Sequence, residues 1–530
     1  MARTQPVEPI DDVAPEWDAS LPGTDRPSDW GSLVADLSRG RDAPELRVHD
    51  RTHLEIAVDY RLPEPTATAR TRKAAYVWEA YFFAPDSLRL STRAYQKSDL
   101  YTDLQSYVRF EVPDVPFHEL VGAPLDRLRE ALEAGDERAA MRELRLFACE
   151  VRAAGVEARH RVAELLRGGD HARSRALAMT ARLVADGSRL TARLREALAI
   201  ADGLPDPLAT AARWVDEDVS RILETLLASL VLALRKADAP ETLLASVEQA
   251  AVAEARYRIE RGYPGEAQRR MPTRKVEELE FRRHVLKRFT SSVLWLSPEV
   301  KPASTWVLQL FYALAAGVAM AFAVVAALFY GTDPRAGNLI GWALAVVLAY
   351  AAKDRLKAML QTLFNDVVAR HFPDRRWRIW DRERGVVLGE QDEQAGFVAW
   401  SEVPPKVIER RLLTRVHPLE AAARPETVLF HSKEVRIDAE QVTRADPRFR
   451  ALTEIFRLDV RSWLAHTDDP KRDFVFADPT TGEICRASAP RVYNIAIVYR
   501  LRRADAPDTP WHRARAVVSR KGIRRIDHIC

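Results

Sequence analysis

The sequence has few cysteines and lacks the common catalytic motifs. Its three cysteines, Cys149, Cys485 and Cys530, are far apart and form no CxxC pair. An odd and scattered set argues against a disulfide framework and fits a reducing compartment. The patterns GxxxxGK[ST], GxGxxG after a strand, GxSxG, HExxH and the EF-hand loop are also absent. The enzyme classes that depend on those motifs are excluded, and no cofactor or metal is predicted.

Charge of one sign does not dominate the chain. It has 530 residues, with 80 Lys plus Arg against 76 Asp plus Glu. The net charge is therefore small and gives no reason to expect nucleic acid as a partner. The first twenty residues lack the apolar core of a signal peptide, which predicts that the polar parts stay in the cytosol. Residues 1–45 are rich in Pro, Asp, Gly and Ser and are predicted to be a disordered lead.

Against this polar background, two long apolar runs stand out. Residues 305–330 contain no charge, and about 20 such residues suffice to cross a bilayer. A shorter run over 339–352 reaches that length if Lys353 and Arg355 extend toward the interface. We therefore predict a membrane-anchored multidomain α+β fold, with a two-helix transmembrane hairpin over 303–352. The alternative is a buried helical hairpin of a large soluble protein.

Basic residues flank both apolar runs and predict an orientation. They are Arg282, Arg283, Lys287 and Arg288 with Lys301 before the first run, and Lys353, Arg355 and Lys357 after the second. Because cytoplasmic flanks carry excess Lys and Arg, both ends are predicted to face the cytoplasm. The side chains are candidates for contact with anionic lipid. The predicted location is a bacterial cytoplasmic (inner) membrane, multi-pass, with the lipid bilayer as one partner.

Small residues recur within the apolar runs at positions that allow close helix packing. The candidates are Gly317, Gly337, Gly341, Ala345 and Ala349. Either the two helices pack only on each other, or Gly337 and Gly341 also drive homo-oligomerisation. Ionisable residues are absent from both apolar cores, which favours an anchor over an ion pathway.

Hydrophobic periodicity divides the rest of the chain. Alternation over 53–62 predicts a strand, and spacing by threes and fours predicts helices ending near 165, 201, 236 and 261. Residues 449–464 are also predicted to be a helix. The predicted domains are a β-rich domain (46–118), a helical bundle or coiled-coil hairpin (119–268), a basic juxtamembrane linker (269–302), the hairpin (303–352), an amphipathic helix (353–373) and an α+β cytosolic domain (374–530). Whether the two β-rich regions share a sheet stays open.

A basic cluster near the C-terminus is the most suggestive polar feature. Its members are Arg500, Arg502, Arg513, Arg515, Arg520, Lys521, Arg524 and Arg525. If they share one sheet face, they form an anion-binding surface for acidic lipid, acidic protein or a nucleic-acid backbone. Alternate strand residues point to opposite faces, so a dispersed, solvated surface is the other interpretation. Aromatic residues that could stack on bases are few, which disfavours nucleic acid.

Other titratable sets give weaker signals. His49 and His53 stand four apart at the start of a strand, which would separate them by roughly 13 Å and disfavours a shared metal. The acidic runs at 216–218, 277–280 and 468–469 are typical of solvated faces rather than of catalytic carboxylates.

Together, these patterns predict a membrane-tethered cytosolic interaction or regulatory protein, a scaffold or sensor, that binds a protein partner or a second copy through its helical region. The alternatives are a membrane-bound enzyme with an unrecognised site and a subunit of a channel or transport assembly. An enzyme is the less favoured interpretation, and no catalytic residue is assigned.

Overall fold

The computed structural model describes residues 44–63, 73–90, 95–264, 271–302, 305–330, 339–412, 426–503 and 509–529. The chain divides into two units. The helical unit contains Arg109–Trp295 and Arg448–Leu452, and the sheet unit contains the described residues of Asp42–Val108, Leu296–Pro447 and Thr453–Cys530. Helices and antiparallel sheets are thus largely segregated, as in the α+β class. The predicted disordered lead lies almost entirely outside the described residues.

The strands are β1 (Glu45–Val48), β2 (His53–Arg61), β3 (Lys73–Pro85), β4 (Leu104–Phe110), β5 (Ser297–Pro302), β6 (Arg375–Asp381), β7 (Val386–Val398), β8 (Glu426–Asp438), β9 (Ala451–Asp459), β10 (Lys471–Ala477), β11 (Ile484–Pro490), β12 (Tyr493–Arg503), β13 (His512–Ser519) and β14 (Gly522–Ile529). The helices are α1 (Lys97–Asp103), α2 (Ala123–Glu133), α3 (Glu137–Leu166), α4 (Asp170–Leu198), α5 (Asp206–Lys236), α6 (Glu241–Glu260), α7 (Thr273–Ser291), α8 (Thr305–Tyr330), α9 (Leu339–His371), α10 (Pro405–Leu412), α11 (Ala439–Ala445) and α12 (Arg461–Leu464).

The helical unit is a bundle in which α5 lies at the centre. This helix packs against α3, α4, α6 and α7, so it is buried on several sides. Local chemistry sets where the helices begin. The Asp136 carboxylate caps α3 by accepting hydrogen bonds from the N–H groups of Arg138 and Ala139, and Pro207 occupies the first turn of α5. The predicted helices ending near 165, 201, 236 and 261 are confirmed within a few residues.

The sheet unit contains an eight-stranded antiparallel sheet and a four-stranded sheet. The larger has the order β14-β13-β12-β3-β8-β7-β6-β5, and the smaller has the order β1-β2-β9-β4. Strand β3 lies between β12 and β8, with Tyr81 opposite both Val498 and Phe430. The two β-rich regions therefore share one sheet. The two sheets face each other through aromatic contacts, including the stacked rings of Trp78 and Phe456 with centroids 5.8 Å apart.

Strand β9 corrects the prediction of a helix over 449–464. This segment forms a strand followed by the four-residue helix α12. Because β9 is an inner strand, with β2 and β4 on either side, and both of its faces are buried, its apolar residues do not alternate with polar ones. A strand buried on both faces cannot be distinguished from a helix by periodicity alone.

The two apolar runs form α8 and α9, which pack on each other through the stacked rings of Phe311 and Phe364. Across the residues that the structure describes, no helix combines the length and the apolar content needed to cross a bilayer. The apolar part of α9 before Lys353 is shorter than the roughly 20 residues of a span. The predictions of a transmembrane hairpin, a membrane-anchored fold and a multi-pass inner-membrane location are therefore wrong.

The small residues of these helices occupy different environments. Ala315 and Ala319 are buried, whereas a Cβ added to Gly317 would meet no atom within 4 Å. Gly337 lies outside the described residues. Gly341, Ala345 and Ala349 lie in α9, but their side chains are not among those described. Homo-oligomerisation through this pair of helices stays a prediction.

Candidate functional site

A cluster of polar side chains lies between the two sheets of the sheet unit, and we call it the inter-sheet core. Its members are Tyr60 on β2, Ser106 on β4, Gln391 and Glu393 on β7, His431 and Lys433 on β8, and Glu454 on β9. Register brings them together. Lys433 is opposite both Trp78 and Glu393, and His431 lies two residues before Lys433, on the same face of β8.

The Glu454 carboxylate is the hub of this core. It is 0 % exposed and accepts hydrogen bonds from the Lys433 ammonium and the Ser106 hydroxyl. It also accepts one from the Tyr60 hydroxyl at 2.7 Å and one from the Gln391 amide at 3.2 Å. Burial, together with the neighbouring charge of Glu454, raises the pKa of Tyr60 well above its usual value. A buried carboxylate with four donors is stable only while those donors remain in place.

A second chain of hydrogen bonds links His431 and Glu393 to two tryptophans. The indole N–H of Trp78 donates to Nδ1 of His431 at 3.2 Å, and Nε2 of His431 lies 2.9 Å from Glu393. Indole can only donate, so Nδ1 is the acceptor and Nε2 carries the proton. On the other side, the Trp377 indole donates to Glu393 at 2.9 Å. Both ring nitrogens of His431 therefore have a hydrogen-bond partner.

The pKa of Glu393 shows how strongly these partners act. Burial alone raises this pKa, but the hydrogen bond from His431 and the positive charge of Lys433 outweigh it and lower it to about 2. Glu393 is therefore ionised in the folded protein. Its negative charge is compensated inside the core rather than by water.

The chemistry open to the inter-sheet core is limited. A general base needs a lone pair within reach of a substrate proton, yet both nitrogens of His431 are engaged and both carboxylates already accept hydrogen bonds inside the core. Glu393, His431, Lys433 and Glu454 are each at most 3 % exposed. The cluster therefore resembles a catalytic site in composition but presents no open atom to a substrate.

The helical unit contains its own buried charges, which we call the bundle layer. Asp216, Glu217 and Asp218 are consecutive on α5, and each is at most 5 % exposed. Successive helical residues differ in direction by about 100°, so each carboxylate reaches a different neighbour in the bundle. The expectation that this acidic run forms a solvated face is wrong, because α5 is surrounded by other helices.

Arginines and hydroxyl groups satisfy each acid of the bundle layer. Asp218 accepts from Arg152 on α3 and from the Thr290 hydroxyl at 3.0 Å. Glu217 accepts from Arg282 on α7 at 2.6 Å. Asp216 accepts from the hydroxyls of Tyr257 and Tyr263 at 2.7 and 2.6 Å. Burial and the bond to Asp216 raise the pKa of Tyr263. The layer is thus a set of paired charges, and the adjacent cavity of about 50 Å³ can hold only a few waters.

An open groove, which we call the recognition groove, lies elsewhere on the helical unit. It is a cleft of about 410 Å³ lined by the segment 115–118, by α3 and by α4. Its buried floor consists of Phe117, Ala154, Ala158 and Leu183, and its wider lining includes Val115, Met179, His118, Glu157, Arg161, Arg182 and Asp186. Ala154 and Ala158 lie one turn apart on α3, and their small side chains leave space between α3 and α4.

The predicted C-terminal basic surface is partly assembled but largely neutralised. Register places Arg500, Arg502, Arg513 and Arg515 on one face of the larger sheet. Carboxylates share that face or lie nearby: Arg500 and Arg502 are 2.6 and 3.5 Å from Glu79, Arg515 and Arg525 are 2.7 and 3.1 Å from Asp527, and Arg520 is 3.2 Å from Asp469. Arg513 is buried, whereas Lys521 and Arg524 are exposed. Anion binding there stays an untested prediction.

The residues predicted to contact lipid lie in several elements. Arg282 belongs to the bundle layer, and Arg283, Lys287 and Arg288 follow it on α7. Lys301 lies in β5. The ammonium of Lys353 lies 3.8 Å from the ring centroid of Tyr350, and Arg355 and Lys357 are exposed on α9. With the transmembrane prediction overturned, their distribution no longer defines an orientation.

The two N-terminal histidines are closer than their spacing suggests. The rings of His49 and His53 have centroids 6.3 Å apart, because the chain turns back between β1 and β2. Each ring has a carboxylate neighbour: His49 is 3.3 Å from Glu55, and His53 is 2.9 Å from Asp50. Across the described residues, no group of three or more His, Cys, Asp and Glu side chains is arranged to hold a metal ion.

Comparison of this chain with protein families, curated proteins and solved structures finds no match. Its function must therefore be argued from the geometry above.

Proposed function

We propose that this protein is an interaction protein whose recognition groove binds an amphipathic helix of a protein partner. The observation that carries the proposal is the groove itself, in which three separate elements surround an apolar floor. Its volume of about 410 Å³ falls within the range of specific binding clefts, roughly 300–1,000 Å³. A cleft between two helices suits an apolar helix face, whose side chains fill it at regular spacing.

Charged residues of both signs lie at the rim of the groove. Arg161 and Arg182 are exposed at the rim. The acid Asp186 has its own neighbour in Arg189 at 3.4 Å, so its charge is partly compensated. Glu157 adds one negative charge to the rim. Complementary charge mainly increases the association rate and the specificity, so we expect charged residues of both signs beside the apolar anchors of the partner.

The two buried charge clusters favour this proposal over an enzyme. An enzyme needs a polar site that a substrate can enter, whereas the inter-sheet core and the bundle layer consist of paired, buried groups. The recognition groove is open but contains no triad of nucleophile, base and orienting acid among its lining residues. Binding is therefore the activity that its chemistry supports.

The proposal can be tested with a phage library of 12-residue amphipathic peptides panned on the full-length chain. We expect enriched peptides to carry apolar residues at i, i+3, i+4 and i+7. Met179→Glu should weaken their binding at least about tenfold, since a charge would enter the apolar lining. Leu232→Glu is the matched control, because Leu232 is an apolar residue of the same unit that is 60 % exposed and is not among the groove residues.

Two results would overturn the proposal. One is enrichment of peptides that bind Met179→Glu as tightly as the unchanged protein. The other is the absence of any enriched peptide. Circular dichroism of both variants establishes that the helices remain folded, so a loss of binding cannot be attributed to unfolding.

A further inference from the structure

A second open cleft of the helical unit runs along α6. The buried residues of this helix are Val247, Ala251, Glu254 and Arg258. Glu254 accepts hydrogen bonds from Arg195 on α4 and from Ser220 on α5 at 2.7 Å each, so this side faces the bundle. The cleft has a volume of about 780 Å³, and within the described part of the chain all of its lining residues lie on α6. The described chain thus supplies only one wall of it.

The exposed side of α6 carries an apolar line, and we call this surface the α6 face. Its members are Ala245, Glu248, Val252, Arg256 and Ile259. The three apolar residues recur every seven positions, and Val252 and Ile259 are 46 % and 60 % exposed. Because each helical residue turns by about 100°, all five members lie within about 40° of one line along the helix. Such a line is typical of a seam between two helices.

The charges of the α6 face are symmetric about Val252. Glu248 comes four residues before Val252, and Arg256 comes four residues after it. If two copies pack antiparallel about a two-fold axis at Val252, Glu248 of each copy lies opposite Arg256 of the other. In a parallel pair, each charge would face the same charge instead. The charge pattern therefore fits a second copy of this chain, in the antiparallel orientation.

Both charges are available for such a contact. Arg256 is exposed, and across the described residues no ion pair holds its guanidinium group. Glu248 accepts a hydrogen bond from Arg235 at 2.6 Å through one carboxylate oxygen, and both side chains are more than 40 % exposed. An exposed pair of this kind contributes little, so Glu248 can also bind a second arginine. Glu260 lies eight residues after Val252, where the antiparallel copy has the uncharged Leu244.

The size of the α6 face indicates a weak contact. It spans residues 245–259, which is about 21 Å of helix, and a helix with its side chains is about 10 Å wide. Two surfaces of this size bury less than the roughly 1,200–2,000 Å² of a stable complex. We therefore expect a reversible dimer with a dissociation constant in the micromolar range.

We infer that the α6 faces of two copies pack antiparallel and join two chains into a homodimer. The recognition groove is lined by other elements of the helical unit, namely 115–118, α3 and α4. The inference therefore does not depend on the proposed function, and each dimer carries two recognition grooves.

Reversal of one charge at a time tests the pairing. Sedimentation velocity of the full-length proteins at low salt, at concentrations around the expected dissociation constant, gives their mass. Glu248→Arg should dimerise at least about tenfold more weakly than the unchanged protein, because arginine then faces arginine. Arg256→Glu should show the same loss, because glutamate then faces glutamate. An equal mixture of the two variants should recover the dimer, since opposite charges meet at both sites only in the mixed pair.

A change at the symmetry axis provides a second test with a matched control. Val252→Glu places two carboxylates beside each other at the axis and should weaken the dimer at least about tenfold. Val285→Glu introduces the same charge at a valine of α7 that is 39 % exposed in the same unit. This control should dimerise like the unchanged protein. Circular dichroism of every variant establishes that the helices remain folded.

Four results would overturn the inference. The unchanged protein could remain a monomer at every concentration. Val252→Glu and Val285→Glu could lower dimerisation equally. The mixture of the two charge variants could fail to dimerise. Finally, the dimer could persist in all of the variants, which would show that a surface other than the α6 face joins the two copies.

Discussion

The inter-sheet core and the bundle layer both bury charge, but their partners come from different distances in the sequence. Asp216, Glu217 and Asp218 are adjacent on one helix, and their neighbours come from the surrounding helices. In the inter-sheet core, Tyr60 and Glu454 are 394 residues apart. A helix presents successive residues in several directions, whereas a pair of sheets brings together residues from distant strands.

The cations of the two clusters also differ. The bundle layer uses Arg152 and Arg282, and the guanidinium group remains charged under all ordinary conditions. The inter-sheet core instead uses the ammonium of Lys433, which donates to Glu454, and its other carboxylate, Glu393, lies beside the His431 imidazole. Clusters that are equally buried can therefore differ in how strongly they depend on their surroundings. We expect acid, or the loss of a single partner, to lower the stability of the sheet unit more than that of the helical unit.

The largest effect is expected from Glu454→Leu, which leaves the Lys433 ammonium buried without its carboxylate. Removing one partner of a buried pair costs about 3–5 kcal/mol. Hydrogen exchange of β8 and β9 should accelerate at least about a hundredfold. Adding Lys433→Met removes the unpaired charge and should recover part of the loss. If the single variant were as stable as this double variant, Glu454 would not be the hub of the core.

A surface pair provides the control for this change. Arg520 and Asp469 lie 3.2 Å apart, and both side chains are more than half exposed. Arg520→Ala should leave the exchange of β8 and β9 unchanged within about threefold, because exposed ion pairs contribute little.

Acid should destabilise the sheet unit through Glu393. Its folded-state pKa of about 2 lies below the ordinary value of 4.5, so the unfolded chain takes up the proton first as the pH falls. The stabilisation is complete above about pH 4.5 and is lost between there and pH 2. Its total is about 3 kcal/mol. Hydrogen exchange of β7 measured from pH 6 to pH 3 should follow this loss after correction for intrinsic rates.

Glu393→Gln should remove most of that pH dependence. Asp50→Asn is the matched control, because the pKa of Asp50 is also lowered to about 2 by hydrogen bonds that outweigh burial, yet its side chain is about half exposed. Solvent screening reduces the energetic effect of an exposed group, so this control should alter the pH profile less. Equal flattening by both variants would contradict the assignment of acid sensitivity to the inter-sheet core.

The smallest expected difference lies within the bundle layer. Asp218→Asn should cost about 1–3 kcal/mol, because its partner Arg152 is only 5 % exposed. Glu217→Gln should cost less, since Arg282 is 30 % exposed and can be hydrated, and Arg221, the buried partner of Glu217, keeps a hydrogen bond to the carbonyl of Pro264 at 2.7 Å. The Cys149 thiol, which contacts the carbonyl of Thr290 at 3.4 Å, is a local probe.

Burial raises the pKa of Cys149 to about 12, so a thiol reagent should reach it only when the helical unit opens. Measured in a Cys485→Ser and Cys530→Ser background, labelling should be faster in Asp218→Asn than in Glu217→Gln. Faster labelling in Glu217→Gln than in Asp218→Asn would show that the exposure of the paired arginine does not determine the loss of stability.

The recognition groove shows how far sequence reasoning could reach toward a site. Apolar spacing predicts α3 and α4 and their lengths, because each helix has its own internal periodicity. The separation of the two helices depends on Ala154 and Ala158 at their interface and on Phe117 in the preceding segment. No pattern in a single chain states which faces of two helices meet, so the groove could not be predicted.

The buried charges were missed for a related reason. Lys433 alternates with Val435 and Ile437 along β8, on the same buried face, which is a signal that could have pointed to an inward charge. Its partner Glu454, however, lies in a segment that was predicted to be a helix. A wrong element assignment changes which side chains share a face, so the pair could not be found.

By itself, the sequence determined the main helices of the bundle, most strands and the absence of common catalytic motifs. Those features depend on local spacing and on residue type. Only the tertiary structure decided that β3 lies between β8 and β12 and that the acids of α5 are buried, and across the described residues it contains no helix with the length and apolar content of a membrane span. Burial depends on neighbours supplied by distant parts of the chain, and local patterns contain no information on which neighbours those are.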